Sequence, residues 1–267
     1  MARTEEPFLR FCTSHLIHIP PYLTYLTTHY TMSIEKYLIL NTGAKMPVLG
    51  LGTWRSTFSE GSRAIEVAIK AGYRHIDTAT VFTNEREVGD GIQTTGISRE
   101  DIFSTTKLPN DMHDDPWTAL QGLMHWPAPM NPGFEGPNKS IDWLDTWKKM
   151  EEIYLKAIGV LNVYGRNLKG LFEHATVTPA INQIKMHPGV GSSAVVTETL
   201  KHGTKITGYS PLGSEGSQLH NNPLVIELAE KYNVTPANIL VSLQANKPGV
   251  SVLVKSVNES RIISWFT

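Results

Sequence analysis

RHIDTA (74–79) and IFSTTKL (102–108) are the stretches whose reading decides the fold. Each begins as a short apolar run and then turns polar, at Asp77 in the first and at Lys107 in the second. Buried parallel strands ordinarily read as uninterrupted apolar runs, because helices cover both of their faces. Working outward, the same ending recurs along the chain. GLMHWP carries His125, KAIGVLN ends at Asn162, AINQI contains Gln183, ITGYS ends at Tyr209 and Ser210, and VLVKS ends at Lys255 and Ser256. Any one of these has a dull explanation as a turn cap, a satisfied core histidine or a snorkelling lysine. Seven strands ending alike point to a shared purpose. In a (β/α)8 barrel the C-terminal strand ends meet at one face, and that face holds the active site. These endings fit an α/β fold with a parallel sheet, either open or closed as a TIM barrel.

The segments between these runs agree. YLILN and MPVLGLG flank Thr42-Gly43-Ala44-Lys45, an N-terminal hairpin signal with glycine in the turn. Residues 59–71 set Ala64, Ile65, Ala68 and Ile69 on one helical face and stop at Gly72. Asn84 is expected to cap the next helix, with Glu85 and Glu87 in its first turn. A further helix, with Trp143, Trp147, Met150 and Tyr154 on one face, is expected to be capped by Ser140. Thr235-Pro236 opens a later one, with proline at the first helical position. Repeated strand–helix alternation implies a parallel sheet.

The chain has 267 residues, 24 Lys plus Arg against 25 Asp plus Glu, and a net charge of −1. That balance argues against nucleic acid or an anionic membrane as the main partner, since both require concentrated positive charge. No stretch approaches the roughly 18 apolar residues of a membrane span. Cys12 is the single cysteine. It excludes an internal disulfide framework and a cysteine-based structural zinc site, and favours a reducing compartment, the cytoplasm. Hydrophobic residues at 40% supply a sizeable core. Gly50-x-Gly52 lacks a third glycine and leads into Thr53-Trp54, so it is not the dinucleotide fingerprint. GxxxxGK[ST], HExxH and GxSxG do not occur, and the histidines are too dispersed to suggest a metal.

Residues 1–35 read as a disordered N-terminal extension. Pro20-Pro21 and several histidines interrupt residues 1–31, so the uninterrupted apolar stretch of about 7–15 residues in a secretory signal is missing. Met32 opens MSIEKYLILN, which reads as an ordinary protein start. No repeat or low-complexity linker divides residues 37–267, so residues 36–267 read as one domain.

From about residue 36 to 264 the chain resembles the aldo-keto reductases. The resemblance rests on LNTGAKMPVLGLGTW (40–54), GYRHIDTA (72–79), NEREVG (84–89), TTKL (105–108), LMHWP (123–127), AIGVLN (157–162), INQIKMHP (181–188), YSPLGS (209–214) and VKSVNESRI (254–262), in that order. It implies a monomeric (β/α)8 barrel that binds NADPH without a Rossmann motif and reduces an aldehyde or ketone to an alcohol. The family's tyrosine donates a proton to the substrate carbonyl oxygen, a lysine and an aspartate tune its acidity, and a histidine orients the carbonyl. The matching positions are Asp77, Lys107 and His125, while the tyrosine's place falls on Phe82. The cofactor positions carry over as Asn162 and Gln183 for the nicotinamide carboxamide and Tyr209 for stacking on its ring. Ser210, Leu212 and Ser214 match the loop around the pyrophosphate, and Lys255, Ser256 and Arg261 match the grip on the 2′-phosphate. Trp54 and Trp126 match aromatic walls of the substrate pocket.

The departures are as informative as the matches. Phe82 has no hydroxyl, and general acid–base catalysis typically contributes about 10²–10⁴-fold, so a large rate loss is expected. His125, with an ordinary pKa near 6.5, is the alternative donor, and Lys107 an alternative electrostatic stabiliser. Leu161 stands where the family has a serine, which removes one hydrogen bond to the cofactor. Three segments are shorter than the family's: before Leu123, before Lys156, and after Ile262. The barrel is therefore expected to be incomplete around its fourth strand, a stub near Leu123–Trp126, and at its C-terminal end. The competing expectation is an impaired or non-redox barrel that binds NADPH or a small ligand.

Overall fold

The computed structural model describes residues 37–119, 123–153 and 157–266. The extension expected over residues 1–35, and Tyr154 on its helix face, lie outside them. An antiparallel hairpin comes first: β1 (Tyr37–Ile39) pairs with β2 (Lys45–Pro47) across a turn in which Gly43 takes a φ of 83°. Its buried Leu38 and Met46 pack with Leu123, Ala180 and Ile181, which lie at or near the starts of barrel strands.

Nine short parallel strands follow: β3 (Leu49–Gly52), β4 (His75–Asp77), β5 (Phe103–Thr105), β6 (Lys107–Leu108), β7 (Leu123–Met124), β8 (Gly159–Leu161), β9 (Ile181–Lys185), β10 (Lys205–Tyr209) and β11 (Val250–Val254). Their order in the sheet is β5-β4-β3-β11-β10-β9-β8-β7-β6. The two end strands, β5 and β6, are halves of one segment separated only by Thr106. Nine strands thus occupy the eight positions of a nearly closed barrel. IFSTTKL, expected as one strand, breaks in the middle and shares itself between two neighbours.

The fourth position is as short as the sequence suggested. β7 has two residues, Lys107 and Leu108 pairing with it on one side and Gly159 and Val160 on the other. The backbone N–H of Leu123 donates to the Thr106 carbonyl at 3.0 Å and that of His125 to the Leu108 carbonyl at 3.3 Å. His125 is therefore placed by the last bond of this stub.

The helices are α1 (Phe58–Ala71), α2 (Glu85–Thr94), α3 (Pro116–Ala119), α4 (Trp143–Ile153), α5 (Gly165–His174), α6 (Ser193–Lys201), α7 (Pro223–Tyr232), α8 (Pro236–Ala245) and α9 (Glu259–Phe266). α1 ends where expected, with Gly72 left-handed at φ 115° and its N–H on the carbonyls of Ala68 and Ile69. Thr235 caps α8 by accepting from the Asn238 N–H. α4 buries Trp147 and Met150, with Trp143 partly covered. Ser140 does not cap it. Its N–H and hydroxyl turn back to Asn138, and the Asp142 carboxylate takes the Leu144 N–H at 2.9 Å instead. At the C-terminal end, expected to be incomplete, ISWFT continues α9 as far as Phe266, whose ring lies 5.1 Å from that of Tyr73. No described helix is long and apolar enough to cross a membrane.

Candidate active site

The residues at the strand ends converge into one hydrogen-bonded cluster. Lys107, on β6, is almost wholly enclosed and donates to Asp77 Oδ1 at 2.6 Å and to the Thr78 carbonyl at 2.5 Å. Asp77, the last residue of β4, accepts from Gln183 Nε2 at 2.8 Å through its other oxygen. Burial pushes the Lys107 ammonium down, and the Asp77 carboxylate pulls it back up. A buried charge is tolerable when it is paired and hydrogen-bonded on its remaining sides, and both conditions are met here.

Phe82 closes the cluster. It ends a single helical turn, Thr80–Phe82, that hangs from β4. Lys107 Nζ lies 5.1 Å from the centre of its ring, within the range of a cation–π contact. The His125 ring meets Phe82 edge-on, 6.2 Å between centroids. An apolar ring thus sits between the lysine and the histidine. Burial, followed by the Lys107 charge, lowers His125 to about 4, and its Nδ1 is enclosed without a partner. His125 is a neutral imidazole near pH 7. The expectation of a partly protonated histidine is corrected by its surroundings.

Asn162 and Tyr209 form a second group at the ends of β8 and β10, the strands on either side of β9. Asn162 follows β8 with a left-handed φ of 59°, and Tyr209 ends β10. The Tyr209 hydroxyl donates to Asn162 Oδ1 at 2.9 Å, while Asn162 Nδ2 is buried with no partner. Gln183, expected beside Asn162 on the same ligand group, also donates one Nε2–H to Asp77. Ser210 and Ser214 are also left-handed, at φ 54° and 71°, in the loop that carries Leu212. Lys255 and Arg261 are exposed cations flanking the buried Ser256. Trp54 and Trp126 are about half exposed, at 52% and 44%, and the Arg55 guanidinium lies 4.4 Å from the Trp54 ring.

Two contributors escaped the sequence reading, and a third has a further role. The Thr78 carbonyl is a backbone acceptor and has no side-chain signature. Tyr164 donates to Asn162 Oδ1 at 3.4 Å; its signal was the polar ending of β8 running two residues past Asn162. Asn84 is the N-cap of α2, its carbonyl accepting from the Val88 N–H at 3.1 Å, but its side chain makes no cap bond. Its amide nitrogen bonds the Thr53 carbonyl at 2.8 Å and its oxygen accepts from Thr78 Oγ1 at 3.2 Å, stapling the ends of β3 and β4 together.

The Aldo/keto reductase family model matches residues 48–121. An aldehyde reductase of Saccharomyces cerevisiae is 38% identical over 86% of this chain and 85% of its own length. The chain belongs to the aldo-keto reductase family. Glycerol 2-dehydrogenase (NADP(+)) of the same yeast is 36% identical over 85% of this chain and 84% of its length. Among solved structures, the aldo-keto reductase of Bombyx mori in complex with NADP superposes with a TM-score of 0.80 at 31% identity, covering 86% of each chain. In this aldo-keto reductase, the buried lysine–aspartate pair lies under a phenylalanine ring.

Proposed function

We propose that this aldo-keto reductase reduces an aldehyde or ketone to the alcohol with NADPH. The observation that carries the reading is the paired Asp77–Lys107 beneath Phe82 and His125, beside an Asn162 amide with an unused donor. Relatives named as an aldehyde reductase and an NADP(+)-dependent dehydrogenase, and a neighbour bound to NADP, support it.

The residues present fit the dinucleotide. A buried amide N–H without an acceptor is unfavourable by about 1–3 kcal/mol, and a carboxamide oxygen would relieve Asn162 Nδ2. Tyr209 would lie against the ring, and Gln183 keeps Oε1 and its second Nε2–H to offer. Ser210, Leu212 and Ser214 would border the pyrophosphate, and Lys255, Ser256 and Arg261 the 2′-phosphate, where cations favour a dianion. Bound NADPH supplies a hydride. The chain's own part is to position and polarise the carbonyl between Trp54 and Trp126. Neutral His125 offers a ring N–H to the carbonyl oxygen, and the Lys107 charge stabilises the negative charge that develops there. Phe82 supplies no proton, neutral His125 keeps its own, and Lys107 is held by Asp77 and Thr78, so the alkoxide would take its proton from solvent water.

Turnover is therefore slow, and Phe82→Tyr raises it by about 10²–10⁴-fold in NADPH oxidation with a panel of aldehydes and ketones. Dinucleotide binding without oxidation by either form would overturn the reductase reading. It would favour the second one, a binding barrel, to which the Phe82 ring over Lys107 also points. Residues 36–267 form the working unit in this reading, which takes the cytoplasm as its compartment and a monomer as its state. The single cysteine and a site assembled from one chain's strand ends support those two choices.

A further inference from the structure

The ends of β8, β9 and β10 meet around the Asn162 side chain. Tyr164 and Tyr209 both donate to its Oδ1, at 3.4 and 2.9 Å. An amide oxygen has two acceptor sites, so Oδ1 is fully used. Burial raises the Tyr164 phenol, and the Lys185 backbone amide offsets part of that rise. Burial also pushes Tyr209 up to about 12, so both phenols keep their protons and remain donors near neutral pH. In this orientation Oδ1 faces both hydroxyls and accepts from each. What is left is Nδ2, buried and unpartnered. The preceding Leu161 has no hydroxyl to donate to a ligand.

We propose that Tyr164 is a positioning residue for the nicotinamide: with Tyr209 it fixes the Asn162 amide so that Nδ2 donates to the carboxamide oxygen. The proposal rests on the NADPH reading above. It gives Tyr164 a role and makes up for the donor missing at Leu161. The ligand group taken at this point is an acceptor, a carbonyl oxygen, and Asn162 does not accept from the carboxamide NH₂.

Binding of NADP⁺ and of 2′,5′-adenosine bisphosphate, which lacks the nicotinamide, tests this by calorimetry on the full chain. Tyr164→Phe, which keeps the ring, is expected to weaken NADP⁺ about two- to tenfold, the worth of one hydrogen bond. It leaves the bisphosphate unchanged, which also reports that the variant is folded. In an Asn162→Ala background Tyr164→Phe has no further effect, because it acts only through Asn162. Equal weakening of both ligands, no weakening of NADP⁺, or an effect that persists without Asn162 would each overturn the assignment. If the wild-type chain binds the bisphosphate but not NADP⁺, the nicotinamide assignment fails alone. If it binds neither, the NADPH reading fails and takes the assignment with it.

Discussion

At the scale of the residue, the centre of this barrel is a buried ion pair whose every member is over-committed. Asp77 accepts from Lys107 and from Gln183, and Lys107 also donates to the Thr78 carbonyl. Removing one member of such a pair strands the other charge in a poorly polarisable interior. Lys107→Met is therefore expected to destabilise the fold by about 3–5 kcal/mol, read as a lower urea midpoint, with Asp77 left on Gln183 alone. A midpoint within experimental error of wild type would mean that Asp77 is not held as a buried anion. The identity of these residues was readable in the sequence, since an ionisable group in an apolar run is conspicuous. Their alliances were not. Gln183, expected on the nicotinamide, also holds Asp77, and His125, expected to be partly protonated, is neutral because burial outweighs its ordinary basicity.

At the scale of the element, the weakest wall is also the one that places a functional side chain. β7 contributes only Leu123 and Met124, and β8 packs closely between it and β9. Gly159 permits that packing: a Cβ there would meet the Ile181 carbonyl oxygen of β9 at 2.6 Å and Leu123 Cδ2 of β7 at 2.7 Å. Backbone cannot move aside as a flexible side chain can. Gly159→Ala is expected to cost about 1–3 kcal/mol in urea unfolding, the usual range for overpacking a core. It should also lower activity by shifting His125, one residue beyond β7. Unchanged stability would show that β7 and β8 are loosely joined. Periodicity located most elements, because one buried face per helix and one apolar run per strand are written locally. The cap of α4 and the side-chain role of Asn84 were misread for one reason: several residues near each helix start could serve as the cap, and only the path of the chain selects among them.

At the scale of the whole molecule, three histidines are enclosed in their neutral form. His75, inside β4, bonds Thr105 Oγ1 at 3.0 Å; His113 sits beneath α4 near Thr146; His125 abuts Phe82. Burial is the first cause in each, and each lies at about 4. The unfolded chain titrates near 6.5, so between pH 6.5 and 4 it binds more protons than the folded one. Stability is full above that window and falls as pH drops through it, by at most ~1.4 kcal/mol per pH unit for each histidine. Urea midpoints measured at pH 7 and pH 5 should show a clear fall, and equal midpoints would refute burial of the neutral forms. The sequence by itself determined a parallel sheet, the hairpin before it and the polar residues that end its strands, because those follow from local periodicity and from polar groups in apolar runs. The tertiary structure decided which polar atoms are spent and which are free: Gln183 on Asp77, Phe82 over Lys107, and Asn162 held by two tyrosines. Those outcomes depend on contacts between segments up to 106 positions apart, and on the desolvation that only packing creates.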